Sequence, residues 1–182
     1  MNKFKELQKK EIFKSNVFRV TERKYLDFDG NQFKRQIIER DDSVGIVATF
    51  LDTDQAVFVL EWCAGINNWV LSIPGGKTKE TNNKMKIKEA LRELHEETGY
   101  KAKNVKVLHQ FNSMPGYMKR NVTLFTGNIS EEGLQELGKH EYIKIKILSI
   151  NEVITQVNQK KFEFEVDPEG LLALLLWKSM KQ

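Results

Sequence analysis

The stretch Leu91-Arg92-Glu93-Leu94-His95-Glu96-Glu97-Thr98-Gly99-Tyr100 constrains the fold more than any other part of this chain. At about 100° per residue, Glu89, Glu93, Glu96 and Glu97 fall within roughly a quarter-turn of one another. Ile87, Ala90, Leu91, Leu94 and Thr98 gather on the other side. The apolar stripe predicts a helix packed on a core. The acidic stripe puts like charges at i, i+3 and i, i+4, which costs an isolated helix about a few tenths of a kcal/mol per pair. Such a stripe needs a counter-charge, and carboxylate oxygens suit Mg²⁺, Mn²⁺ or Ca²⁺. Gly99 predicts the helix end, because the position after the last turn favours a residue free to take positive φ. His95 neighbours the carboxylates in sequence but points elsewhere on the helix, and reads as a surface or packing histidine.

The remaining segments predict a mixed sheet with one central and one terminal helix. Val17 to Leu26 and Gln32 to Arg40 flank Asp27-Phe28-Asp29-Gly30, a hairpin signal. Val44 to Phe50 is a nearly continuous apolar run, suited to a strand buried on both faces. Ala56 to Trp62 and Trp69 to Ile73 follow as strands, the second stopped by Pro74-Gly75-Gly76. Lys77 to Lys84 is polar and loop-like, and the central helix is expected to start near Met85. Val105 to Phe111 and Val122 to Thr126 read as strands around a loop, Asn112 to Asn121. Tyr142 to Ile147 alternates with period two, as a half-buried strand does. A short helix is expected at Asn151 to Val157. Asp167-Pro168 is an N-cap and N1 pair opening a last helix, Glu169 to Lys181. Residues 1–42 are read as an N-terminal extension and 43–182 as the main domain.

Composition closes off several classes. With 182 residues, 40% hydrophobic and 30% charged, the chain is ordinary for a globular protein. Its net charge of +4 suits a small anionic substrate, and the absence of any long basic run gives no sign of a nucleic-acid partner. Cys63 is the single cysteine, so no internal disulfide forms, and it reads as a buried inert thiol. Met1 to Lys14 shows no signal peptide, and the longest apolar run, Leu171 to Trp177, is far short of a membrane span. A cytoplasmic protein is expected.

Arg92-Glu93-Leu94-X-Glu96-Glu97-X-Gly99-Tyr100 resembles the second half of the Nudix box: Gly, five residues, Glu, seven residues, Arg-Glu-apolar-X-Glu-Glu-X-Gly-apolar. Glu39-Arg40 before a buried strand, Ser72-Ile73-Pro74-Gly75-Gly76, and Met114-Pro115-Gly116-Tyr117 are similar to the ADP-ribose pyrophosphatase branch of that superfamily. The resemblance implies an α+β fold, the Nudix α/β/α sandwich around a mixed β-sheet with an N-terminal hairpin extension. It implies hydrolysis of the diphosphate in ADP-ribose or a nucleoside diphosphate sugar, giving a nucleoside monophosphate and a sugar phosphate. It makes Glu93, Glu96, Glu97 and the carbonyl of Gly75 ligands of Mg²⁺, with Mn²⁺ as a substitute. Arg92 would orient those carboxylates by charge-assisted hydrogen bonds. Arg40 would hold substrate phosphate, and Met114, Gly116 and Tyr117 would contact the group beyond the diphosphate. The final base, in related enzymes often a loop glutamate, is assigned to Glu141 first and Glu136 second. A homodimer through the N-terminal hairpin is implied as well.

The sequence departs from the pattern in four places. Gly76 lies sixteen residues before Arg92, where the box has fourteen, so the first box glutamate falls on Lys84, on Glu80, or is replaced by Glu89. Glu61-Trp62-Cys63 stands where the branch has Gln-Tyr-Arg, Ser72 to Gly76 where it has Glu-Leu-Pro-Ala-Gly, and Arg120 where it has an acid. These changes leave three readings in play: a Nudix hydrolase of altered substrate, a non-catalytic nucleotide-sugar-binding module, and a Nudix enzyme acting on other nucleotides or on capped RNA ends.

Overall fold

The computed structural model describes residues 3–139 and 141–181. In chain order the elements are β1 (Lys5–Lys14), β2 (Arg19–Leu26), β3 (Gln32–Glu39), β4 (Asp42–Thr49), β5 (Gln55–Cys63), β6 (Asn68–Ser72) and β7 (Gly75–Thr78). Then come α1 (Asn83–Thr98), β8 (Lys101–Asn112), β9 (Met118–Lys119), β10 (Asn121–Glu131), β11 (Ile143–Ser149), α2 (Ile150–Asn158), β12 (Glu165–Val166) and α3 (Pro168–Met180). The chain divides into two compact units, one of residues 1–42 with 111–122, the other of 43–110 with 123–182.

The first unit is a four-stranded sheet in the order β1-β2-β3-β9. Its central hairpin closes through Asp27, whose carboxylate accepts the N–H groups of Asp29 (3.0 Å) and Asn31 (2.8 Å), while Gly30 takes φ 83°. That is the chemistry by which Asp and Gly make turns. The strand β1 lies in a segment whose Lys/Glu-rich composition hides its alternation. It pairs antiparallel with β2 from Lys5↔Leu26 to Lys14↔Arg19, and all ten of its residues are exposed. Between β1 and β2, the Ser15 hydroxyl accepts the N–H groups of Val17 and Phe18. Glu39 is buried in this unit among Lys9 Nζ (2.7 Å), Arg19 Nε (2.7 Å) and Arg23 Nη2, with Thr21 Oγ1 also donating to it. Burial alone would raise its pKa, but the hydrogen bonds from Lys9, Arg23 and Arg19 outweigh that and lower it to about 2.

The second unit is built on a mixed sheet in the order β12-β6-β5-β4-β10-β8, with β11 also on β5 and β7 also on β4. β12 runs parallel to β6, and β5 runs antiparallel to β4, β6 and β11. β4 is buried along both faces, as its apolar run requires. Val44, Ile46 and Ala48 meet Ala90 and Leu94 of α1, with Val57, Tyr100 and Phe125 completing that core. α2 and α3 pack together, and α3 also meets β6. Asp167 caps α3 by accepting from Gly170 N–H (2.7 Å), with Pro168 at the first helical position. β11 departs from simple alternation: Ile145 and Ile147 are exposed, while Lys144 and Lys146 lie over the rings of Trp69 and Phe164 at 4.5 and 5.5 Å. Cation–π contact with long aliphatic stems lets lysines cover apolar surface. No helix among the described residues is long and apolar enough to cross a membrane.

Candidate active site

α1 starts at Asn83, one N-cap residue after Asn82, whose side chain accepts from Met85 N–H at 2.9 Å. It stops at Gly99, which takes φ 76° and donates to His95 O. Between these caps the acidic stripe faces partners of its own. Arg92 donates from Nη2 to Glu89 (3.0 Å) and Glu93 (2.6 Å), and from Nη1 to Glu96. One guanidinium therefore gathers three carboxylates of the helix. Glu97, one step further round, is out of that network and accepts the N–H of Gly75 at 3.0 Å.

Burial, more than the lack of a partner, sets the electrostatic cost of these carboxylates. Burial pushes Glu97 up to about 8 against the pull of the Gly75 amide, and Glu93, Glu61 and Glu141 add to the rise. Glu93 is raised by burial despite Arg92, with Glu96 and Glu141 contributing. Glu61 is raised by desolvation and by Glu141 and Asp167. Four carboxyl groups on α1, β5 and the segment after residue 131 thus share one electrostatic neighbourhood. Glu61 in that group escaped the sequence reading. It follows five apolar residues of β5 and is placed by the strand register, opposite Val70 and Ile143. Cys63, half-buried on the same strand, has its thiol pushed up by desolvation, then by Glu61 and Asp167.

Glycine is required beside this cluster. A Cβ on Gly76 would lie 2.2 Å from Glu93 Oε1, and one on Gly75 would lie 2.3 Å from the Val44 carbonyl oxygen. Both residues belong to β7, a strand in the region expected to be loop. Lys84 is exposed, Glu80 is half-buried, and Glu89 is engaged by Arg92. Lys86, on the buried side of α1, donates to Thr123 Oγ1 at 3.2 Å. His95 lies with Nδ1 3.1 Å from Gly99 O and Nε2 3.8 Å from Glu136 Oε1. Glu141 accepts Gly138 N–H at 2.7 Å.

The expected substrate-binding residues belong to the first unit. Arg40 is half-buried, gives its N–H to Lys119 O, and lines a small cavity of about 160 Å³ with Phe18, Arg19 and Asp41. Met114 takes φ 49°, and Tyr117 folds back on it, its N–H donating to Met114 O and its hydroxyl lying 2.8 Å from Met114 Sδ. Both side chains are about half exposed. Gly116 lines a groove of about 710 Å³ with Phe4, Tyr25, Phe33 and Arg35.

The donors around Glu93 and Glu97 are all carboxylate oxygens, the chemistry of Mg²⁺, Mn²⁺ and Ca²⁺ sites. Among the described residues no three of them already converge as a metal cage, because Arg92 holds Glu93 and Glu96 and Gly75 holds Glu97. Glu97 and Glu93 are raised first by burial and then by neighbouring carboxylates, and a divalent cation would offset both, so the residues fit such an ion.

The site is thus a mixed sheet presenting a helix three of whose glutamates are gathered by one arginine. The model of the NUDIX domain matches residues 39–168, and the chain belongs to the Nudix family. The crystal structure of an ADP compounds hydrolase is similar in fold, with a TM-score of 0.81 at 18% identity over 99% of this chain and 95% of that one. Among curated protein sequences there is no match.

Proposed function

We propose that this Nudix hydrolase cleaves the diphosphate of a nucleoside diphosphate joined to a sugar, ADP-ribose or a related nucleotide sugar, with Mg²⁺. Water adds across the P–O–P bridge: its oxygen joins one phosphorus, the bridging P–O bond breaks, and the products are a nucleoside monophosphate and a sugar phosphate. The observation that carries this reading is the buried Glu97, which has no cationic partner among the described residues, beside Glu93, which stays raised by burial even with Arg92 on it. A fold shared with a protein described as an ADP compounds hydrolase supports the nucleotide class. Glu93, Glu96, Glu97 and the Gly75 carbonyl would hold the cation. When bound, a divalent ion offsets the diphosphate charge and makes water a better nucleophile. Arg92 gathers Glu89, Glu93 and Glu96 on one side of the helix, and Glu93 and Glu96 would turn part of their oxygens from it to the cation on loading. Glu141, a carboxylate outside α1 that acts electrostatically on Glu61, Glu93 and Glu97, takes the proton from the attacking water. Arg40 and the segment Met114 to Tyr117 bind the substrate's phosphate and sugar.

The test is turnover of a panel of ADP-ribose, ADP-glucose, GDP-mannose, UDP-sugars and dinucleotides, with Mg²⁺ and with excess chelator. Turnover is expected only with metal. Glu97→Gln is expected to keep the fold and lose activity about a hundredfold or more, the scale of removing a preorganised charge. Turnover unchanged by chelator, or a fully active Glu97→Gln enzyme, overturns the assignment.

A further inference from the structure

We propose that Gln135 is a positioning residue that fastens the Glu141 segment to the last turn of α1, so that one helix sets both the carboxylate cluster and the base. This rests on the reading of Glu141 as the base. The last turn of an α-helix leaves backbone carbonyls without helical partners. Here three of them are taken. Gly99 N–H donates to His95 O at 2.7 Å, Glu136 N–H to Glu96 O at 2.8 Å, and the Gln135 side-chain amide to Glu97 O. Glu96 and Glu97 therefore present carboxylates from their side chains and hold Gln135 and Glu136 with their backbones. Gly133, on the same segment, is pressed against Gly99: a Cβ added to Gly99 would lie 2.3 Å from the Gly133 carbonyl oxygen. His95 closes the other side, 3.8 Å from Glu136. From this anchorage the chain reaches a turn in which Glu141 N–H donates to Gly138 O (3.1 Å) and Gly138 N–H to Glu141 Oε2 (2.7 Å). The turn fixes the direction of the Glu141 carboxylate.

Two of the three donors are backbone groups, so Gln135 is the part that a side-chain substitution can release. Gln135→Met keeps the length and removes the donor. With the best substrate of the panel and Mg²⁺, it is expected to lower kcat about tenfold or more, on the scale of a small misplacement of a reacting group. KM is expected to stay within about twofold of wild type, since substrate binding is not the property released. Gln135→Lys supplies a donor to the same carbonyl and suits the negative end of the helix, so it recovers most of the rate. In a Glu141→Gln background, Gln135→Met adds no further loss, because the base it positions is already gone. Wild-type kcat in Gln135→Met while Glu141→Gln is impaired overturns the latch and leaves the base assignment standing. So do multiplying losses in the double variant, and so does failure of Gln135→Lys to recover the rate. A fully active Glu141→Gln enzyme removes the base assignment, and the latch with it.

Discussion

Gly75 and Gly76 are neighbours with different reasons to lack a side chain. Neither has a positive φ among the described residues, so backbone freedom is not the cause. At Gly75 the obstacle is backbone, the Val44 carbonyl at 2.3 Å and Gly45 Cα at 2.8 Å, and neither can swing aside. At Gly76 the obstacle is the Glu93 carboxylate, the end of a side chain that can turn away. Gly75→Ala is therefore expected to lower stability by about 1–3 kcal/mol, the usual cost of overpacking. Gly76→Ala is expected to unfold at nearly the wild-type denaturant concentration but to lose turnover at least about tenfold, by displacing Glu93 from its place under Arg92. Denaturant titration and steady-state kinetics on both variants separate the two. The reverse pattern, activity lost at Gly75 and stability at Gly76, would contradict the geometry.

At the scale of elements, the N-terminal sheet is joined by charge and unfinished on its surface. Glu39 of β3 accepts from Lys9 of β1 and from Arg19 and Arg23 of β2, so three strands depend on one buried carboxylate. Its pKa is depressed from the usual 4.5 to about 2. The folded state thus binds the proton less readily than the unfolded chain. The stabilisation is complete above about pH 4.5 and is lost as pH falls towards about 2. Glu39→Gln leaves the cations without their counter-charge and is expected to cost about 2–4 kcal/mol near neutral pH, less than a fully buried pair because Lys9 and Arg19 are part-exposed. In urea titrations the gap between variant and wild type should be largest at pH 7 and nearly closed at pH 2. A gap independent of pH would mean that packing, not charge, is what the substitution disturbs. On the surface of the same sheet, Phe4, Leu7, Ile12 and Phe13 are each 40–50% exposed. Exposed apolar side chains grouped on and beside β1 suit burial against a partner. A homodimer through this sheet is expected, with a light-scattering mass near twice 21.2 kDa at micromolar concentration. Ile12→Glu should shift it towards the single-chain mass, and a wild-type mass of one chain would exclude the dimer.

The α1 carboxylates lie in one compact unit, and Arg40 and the Met114 to Tyr117 segment, the proposed phosphate and sugar contacts, lie in the other. A preference for nucleotide sugars over free nucleoside triphosphates is expected from Arg40 and the Met114 to Tyr117 segment. The measurement is kcat/KM for the best nucleotide sugar against the best triphosphate, in wild type and in Tyr117→Ala. Wild type is expected to favour the sugar, and the variant to lose efficiency on the sugar more than on the triphosphate. A half-exposed tyrosine offers a ring face to a sugar or base and a polar handle at its end. Its contact with Met114 is the competing role. Equal losses on both substrates would assign Tyr117 to holding its own loop.

What could be read from the chain alone follows from locality. The α1 stripe, its Gly99 stop, the Asp27 to Gly30 turn, the doubly buried β4 and the Asp167-Pro168 start of α3 are each specified by residues a few positions apart. Helical period, positive φ and N-capping are local physics, so these features survive without knowledge of the fold. The short strands β7, β9 and β12 were not legible, because two to four residues carry no period and become strands only when a neighbouring strand offers its backbone groups. β1 was hidden by a fully exposed, charged surface with no buried face to alternate against. In the candidate site the helix period grouped Glu89, Glu93, Glu96 and Glu97 on one face, and the resemblance to the Nudix box singled out Glu93, Glu96 and Glu97. That Arg92 takes Glu89, Glu93 and Glu96 but not Glu97, that Gly75 reaches Glu97, and that Glu61 joins them, depends on strand register and side-chain direction across the sheet. Charge neutralisation and burial act through space, and only the tertiary structure sets which residues are close in space.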